Sequence, residues 1–184
     1  MISTTIYKER GDHLNKREQD FLLRTEKFVQ QCLAGDSSGH DWWHIHRVRQ
    51  MTLRLAAQER ADSYVCELAA LLHDVADEKL NDSKEGGLNK VRVWLEQNQL
   101  EPDQIEHVLE IISTLSFNGG SNPPMRTIEG RVVQDADRLD ALGAVGIART
   151  FAYAGYKGHI VINQIIGGCK LARLFIHTCT KSLS

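Results

Sequence analysis

Residues 65–74 read VCELAALLHD, an almost unbroken apolar run that predicts a helix in the centre of the core. The run ends in His73 and Asp74, where a core helix would not carry a charge by default. A buried ionised carboxylate is costly unless it is paired, hydrogen-bonded or bound to a metal. Two interpretations stay open here: a pair of metal ligands, or a helix end whose histidine bonds a carbonyl and whose aspartate faces solvent.

A second segment, residues 39–48, reads GHDWWHIHRV. Asp41 is placed to cap a helix that runs to about Arg60, because an aspartate side chain accepts hydrogen bonds from the first-turn N–H groups. On that helix His44 shares an apolar face with Val48 and Met51, so it is predicted to point inward.

A third segment, residues 132–142, reads VVQDADRLDAL. Asp137 lies on a predicted helical stripe with Val133, Asp140 and Ala144, so it too has apolar neighbours. Three separate helices therefore each bring a residue of metal-ligand type to an inward face, which favours a metal site over three unrelated buried polar groups.

These segments resemble the HD-domain phosphohydrolase superfamily, in its small bacterial branch typified by YedJ and YpgQ. The resemblance is carried by HDWWHI at 40–45, SFNGG at 116–120 and DADRLDALGA at 135–144, and it covers about residues 21–156. It implies an all-α helical bundle in which one divalent metal is bound by four residues, and read onto this sequence these are His44, His73, Asp74 and Asp137.

The resemblance also sets the expected domain boundaries. Residues 1–184 are expected to form a single HD domain with a core at about 21–156, and residues 157–184 to be a divergent, shortened C-terminal region. The sequence departs from the branch at Asn118, where a basic residue often stands. The shortened C-terminal region is a second departure, and it bears on how the substrate is enclosed more than on metal binding.

The expected ligand set predicts the cofactor and the chemistry. Two imidazoles and two carboxylates suit Mn²⁺, Fe²⁺, Co²⁺, Ni²⁺ or Zn²⁺ better than Mg²⁺, which prefers oxygen ligands and retains its waters. The resemblance implies hydrolysis of a nucleotide, with a nucleoside triphosphate cleaved to the monophosphate and pyrophosphate as the leading hypothesis. Because pocket walls rather than the metal decide the substrate, a 5′-nucleotidase or a cyclic-nucleotide phosphodiesterase remains an alternative.

Two further activities stay open. A di-iron oxygenase would need an extra histidine ligand, from His40 or His107, although a structural role is the default for both. A catalytically weak nucleotide-binding module would follow if the shortened C-terminal region had cost the activity. Trp42 and Trp43 beside the first ligand could stack on a base, but core packing is the commoner role of such residues.

The acidic pair that follows the His-Asp dipeptide is a candidate for proton transfer. Nucleotide-signalling hydrolases of the same superfamily have an acidic pair at this spacing, so Asp77 or Glu78 is hypothesised to orient the attacking water or to protonate the leaving oxygen. The alternative is a solvated helix end.

The phosphate groups of a substrate also need cations and N–H donors. Lys79 and Arg47 are the candidate cations, whereas Arg138 is expected to pair internally with a neighbouring aspartate. The backbone at Asn118 and Gly119 could form an anion-binding nest or a plain turn.

Composition limits the partners. The chain has 184 residues and a formal net charge of −2, so it has no bulk electrostatic attraction for nucleic acid. It has no apolar run of 18 residues, no secretory signal and no CxxC pair, which together predict a cytoplasmic protein without a membrane span. A small-molecule phosphate ester is the expected partner, and a homodimer remains open.

The remaining sequence is predicted to be helical almost throughout. Helices are expected at about 16–33 and from Pro102 onward. Residues 77–89, which contain two adjacent glycines, are expected to form a loop, and residues 153–158 a turn.

Overall fold

The computed structural model describes residues 14–34, 41–77, 80–115 and 123–158. Within these ranges it has seven α-helices and one short 3₁₀ helix, so the predicted all-α fold is confirmed. In chain order they are α1 Lys16–Cys32, α2 Trp42–Glu59, α3 Ser63–Leu72, the 3₁₀ helix Asp74–Ala76, α4 Lys84–Gln97, α5 Pro102–Leu115, α6 Ile128–Asp140 and α7 Gly143–Lys157. Of the helices in the described ranges, none has both the length and the apolar character needed to cross a bilayer.

Helix α3 is the centre of the bundle. All ten of its residues are buried, and it packs against α1, α2, α5 and α6. Its first turn is capped by Asp62, whose side chain accepts hydrogen bonds from the backbone N–H groups of Tyr64 and Val65. The helix predicted from the apolar run is therefore confirmed, and it delivers His73 and Asp74 to the interior.

Helix α2 begins at the predicted cap. The Asp41 side chain accepts a hydrogen bond of 2.9 Å from the backbone N–H of His44, which satisfies one of the free donors of the first turn. His44 and Val48 are both buried on the face that packs between α3 and α6. The predicted inward direction of His44 is confirmed.

The interior also contains a charged group. Arg49 of α2 is 2% exposed, and its Nε and Nη2 lie 2.8 and 2.7 Å from Oε1 of the completely buried Glu67 on α3. Its Nη1 donates to Oε2 of Glu26 on α1, at 2.9 Å. This cluster ties three helices together around one guanidinium group.

The prediction of a loop over residues 77–89 is wrong for the second half of that range. Helix α4 begins at Lys84, where the Ser83 hydroxyl accepts a hydrogen bond from the N–H of Gly86. Gly87 lies within this helix and allows a close approach, because a Cβ atom built there would lie 2.3 Å from the carbonyl oxygen of Ala76. Gly87 therefore reflects helix packing and not a turn, whereas Gly86 has no comparable backbone contact.

The predictions around α6 and α7 also need correction. The turn expected at 153–158 is helical, because α7 continues to Lys157 and ends at Gly158, which has a left-handed φ of 64°. Helix α6 ends at Asp140, so Ala144 lies in the next helix and does not extend the stripe that carries Asp137.

The close contact at Gly87 predicts a large effect of a small substitution. Gly87→Ala should lower the free energy of unfolding by about 1–3 kcal/mol, because the added methyl group must displace backbone of the 3₁₀ helix. Gly86→Ala is the matched control, since its Cβ would meet only the Ser83 hydroxyl at 3.3 Å, and better helix propensity should stabilise the helix by up to about 1 kcal/mol. Urea unfolding of both variants tests this, and equal stability of the two would contradict it.

Candidate metal centre

The end of α3 is shaped so that two adjacent residues point at one place. His73 keeps helical backbone angles, and the chain then tightens into the 3₁₀ helix that starts at Asp74. His73 Nε2 lies 3.3 Å from Asp74 Oδ1. The other ring nitrogen, Nδ1, lies 2.9 Å from the carbonyl oxygen of Ala70 and must donate to it, which leaves the Nε2 lone pair facing the interior.

His44 reaches the same place from α2. Its Nε2 lies 3.3 Å from His73 Nε2 and 3.6 Å from Asp74 Oδ2. All three residues are buried, and one ligand atom from each lies within 4.8 Å of the others. Two imidazole nitrogens that face each other beside a buried carboxylate form a donor set that fits a divalent cation.

Asp137 approaches from α6. Its Oδ1 lies 3.3 Å from His44 Nε2 and 3.8 Å from His73 Nε2. The side chain is 32% exposed, so it lies on the open side of the cluster. The structure thus brings all four sequence-predicted ligands together, with the Asp137 side chain partly exposed to solvent.

The cluster is strongly polarised. Burial opposes the charged form of His44, but hydrogen bonds to Asp137 and Asp140 outweigh it and raise the His44 pKa to about 9. Burial likewise opposes ionisation of Asp137, and the histidines outweigh it, so the pKa of Asp137 is lowered. A cation at this place would take the position of the His44 proton, because only a neutral imidazole is a ligand.

Sequence reasoning placed Asp140 on the stripe of Asp137 and considered it only as a possible partner of Arg138, not as a residue of the site. Its Oδ2 lies 2.7 Å from His44 Nδ1, and its carboxylate also accepts hydrogen bonds from Arg47 and Arg149. The available signal was the three-residue spacing from Asp137, which puts both carboxylates on one face. Spacing alone could not show which nitrogen of which histidine Asp140 meets.

The candidate substrate-binding and proton-transfer residues are described only in part. Glu78, Lys79, Asn118 and Gly119 lie outside the described residues. Asp77 follows the 3₁₀ helix, is partly buried, and donates its backbone N–H to the carbonyl oxygen of Asp74 at 3.1 Å. Arg47 is 36% exposed and binds Asp140 through Nε at 2.6 Å and Nη2 at 3.0 Å.

The ion pairs at Asp140 come from Arg47 and Arg149, and Arg138 lies exposed on the surface of α6. Of the two partners expected for Arg138, Asp135 and Asp140, the structure pairs Asp140 with two arginines from other helices instead.

Trp42 and His107 have the structural roles expected of them, whereas the exposed Trp43 does not fit core packing. Trp42 packs partly buried against the core, whereas Trp43 is 63% exposed. His107 donates to or accepts from the Thr127 hydroxyl at 3.1 Å and lies 3.7 Å from Glu129, as expected of a structural histidine. His40 lies outside the residues that the structure describes.

Known proteins resemble this chain in sequence and in structure. The YpgQ protein of Bacillus subtilis (strain 168) is 43% identical over 148 residues, which are 79% of this chain and 71% of that protein. The crystal structure of Bacillus subtilis YpgQ in complex with ADP has a TM-score of 0.70 at 37% identity, and the match covers 87% of this chain and 78% of that one. The crystal structure of an HD-superfamily hydrolase from Bacillus thuringiensis has a TM-score of 0.65 at 49% identity, covering 81% and 72%.

A family model described as the HD domain matches residues 42–142. The matched range starts at the helix of His44 and ends just after Asp140, so it contains the whole cluster. The sequence match, the structural match and the histidine–aspartate cluster agree, and the chain belongs to the HD domain family.

Proposed function

We propose that this protein is a metal-dependent phosphohydrolase that cleaves a nucleoside triphosphate to the monophosphate and pyrophosphate. The observation that carries the proposal is the convergence of His44, His73 and Asp74, with Asp137 on the open side. A divalent transition-metal ion held by these residues would polarise a phosphoryl oxygen and lower the pKa of a water molecule. Mn²⁺, Ni²⁺, Co²⁺, Fe²⁺ and Zn²⁺ fit the mixed nitrogen and oxygen donors better than Mg²⁺.

Two findings support a nucleotide as the substrate. A similar protein, YpgQ, has been crystallised with ADP. Arg47 lies beside the cluster with its Nε and Nη2 bonded to Asp140, and its side chain is partly exposed, so Nη1 is the atom we assign to a phosphate oxygen. We assign Arg47 and Lys79, with the backbone of Asn118 and Gly119, to the phosphate chain.

We assign proton transfer to the acidic pair Asp77 and Glu78. Asp77 follows Asp74 at the end of the 3₁₀ helix, and its backbone hydrogen bond to Asp74 fixes the start of this segment next to the cluster. A carboxylate at this distance along the chain can orient water or protonate the leaving oxygen without being a ligand itself.

Product analysis tests the proposal. The Mn²⁺-loaded protein is incubated separately with a nucleoside triphosphate, a nucleoside monophosphate and a cyclic nucleotide, and the products are identified by ³¹P NMR. We expect pyrophosphate from the triphosphate and none from the Asp137→Ala variant, because that change removes a carboxylate 3.3 Å from His44 Nε2. Asp135→Asn, an exposed change on the same helix, is the matched control and should keep the activity.

The other products identify the alternatives. Orthophosphate released from the monophosphate would show that the protein is a 5′-nucleotidase. Ring opening of the cyclic nucleotide would show that it is a phosphodiesterase. Metal binding without any product would favour a nucleotide-binding module. For a di-iron oxygenase, Nε2 of His107 contacts Thr127 and Glu129, which leaves His40, outside the described residues, as the other candidate for the extra ligand.

A further inference from the structure

We infer that Asp140 is the positioning residue of this site, which fixes the His44 ring so that Nε2 is presented to the cation. The inference deepens the proposed function, since it rests on the same metal site. Asp140 is not one of the proposed ligands. Its carboxylate contacts Nδ1 of His44, whereas His73 and Asp74 lie near Nε2, on the other side of the ring.

The contact between Asp140 and His44 sets the tautomer. The His44 Nδ1 atom lies 2.7 Å from Asp140 Oδ2, a distance typical of a charge-assisted hydrogen bond. An ionised carboxylate only accepts hydrogen bonds, so Nδ1 must carry the hydrogen. When the ring is neutral, the Nε2 lone pair is then directed at the position between His73 and Asp74. A carboxylate behind a ligand histidine commonly orients the ring and raises its basicity.

Asp140 is itself held in place. Arg47 of α2 donates to both of its oxygens, from Nε at 2.6 Å and from Nη2 at 3.0 Å. Arg149 of α7 donates to Oδ2 at 2.8 Å. The Asp140 side chain is 8% exposed, so these bonds are largely shielded from water. The end of α6 is thereby joined to α2 and α7 at the atom that orients His44.

The two histidines are oriented by different means. The Nδ1 of His73 donates to the carbonyl oxygen of Ala70, three residues earlier in the chain. This acceptor belongs to the backbone, so a change of side chain at position 70 does not delete it. The Nδ1 of His44 depends on one side chain that lies 96 residues away in sequence. A substitution can therefore remove the orientation of His44 while leaving that of His73 intact.

Metal affinity tests the inference. We expect the affinity for Mn²⁺ to fall by about 10–100-fold in Asp140→Ala, and by a smaller factor in Asp140→Asn, whose amide oxygen can still accept from Nδ1. Asp135→Asn is the matched control on the exposed face of α6 and should bind as the unchanged chain does. Isothermal titration gives the affinities, and Asp140→Asn keeps the test usable if the alanine variant does not fold. Unchanged affinity in both Asp140 variants would overturn the inference.

A second readout does not require metal. In protein with ¹⁵N-labelled histidine, the bonded Nδ1–H of His44 should give a slowly exchanging, strongly downfield proton signal, assigned by its loss in His44→Gln. We expect this signal to disappear in Asp140→Ala and to persist in Asp135→Asn. If the wild-type protein binds no Mn²⁺, the proposed function fails. The NMR spectrum alone then decides whether Asp140 fixes the His44 ring. If Asp140→Ala retains the signal, the inference is wrong even where metal binding stands.

Discussion

Replacing Arg49 by Met should lower the free energy of unfolding by about 3–5 kcal/mol, the largest stability effect we expect for a single substitution in this protein. The guanidinium group is 2% exposed and bonds Glu67, whose side chain is 0% exposed. Without Arg49, Glu67 would remain in the centre of the bundle without this cation, and a buried carboxylate in that position is strongly destabilising. Urea unfolding followed by circular dichroism measures the change.

Two further variants show whether the effect comes from breaking the buried pair of Arg49 and Glu67. Arg49→Met combined with Glu67→Leu should recover much of the lost stability, because replacing both charges by apolar groups of similar volume is often close to neutral. Arg92→Met is the control on an ion pair at the surface, where Arg92 binds Glu106, and it should have little effect. A single Arg49→Met variant that is no less stable than Arg92→Met would contradict this account.

Asp74→Asn should remove metal-dependent stabilisation and turnover together. At a Mn²⁺ concentration 100 times the dissociation constant, the unchanged chain should gain about 2.7 kcal/mol of stability from binding. Because Asp74 supplies the buried carboxylate beside the two histidines, the Asp74→Asn variant should lose most of that gain in stability. Thermal unfolding with and without Mn²⁺ gives the stabilisation, and ³¹P NMR gives the turnover.

The matched comparison is the double variant Asp77→Asn/Glu78→Gln. If these residues transfer protons, it should keep the Mn²⁺-dependent stabilisation and lose about 10²–10⁴-fold in turnover. Loss of stabilisation in the double variant would instead make one of them a ligand, and full turnover would end the assignment. The two variants together separate the groups that hold the cation from those that act on the substrate.

The parts of the fold predicted from sequence are those set by local chemistry. The apolar run before His73 specified a buried helix, and Asp41 specified where α2 begins, because burial and capping depend on residues close in sequence. The inward faces of α2 and α6 then placed His44 and Asp137 toward the same interior, where the structure brings them within 3.3 Å.

The features that sequence reasoning missed depend on contacts between distant segments. The two glycines at the start of α4 argue against a helix by propensity, and the proximity of Ala76 explains Gly87 but not Gly86. The residues of α7 that were expected to turn lie instead in a helix that contacts α6. The role of Asp140 depends on Arg149 of α7 and on which side of His44 it meets, neither of which has a signal in helical spacing.

The complete burial of α3 bears on how members of this family can acquire new substrates. The helix that leads directly into His73 and Asp74 has no solvent face, so a change in it must be accommodated by neighbouring helices at the same time. Evolutionary variation is thereby directed to exposed positions such as Trp43, next to His44 in sequence and 63% exposed, where a substitution disturbs fewer neighbours. Under the proposed function, the residues that hold the cation would be inherited with the core, and the residues around them would differ with the substrate.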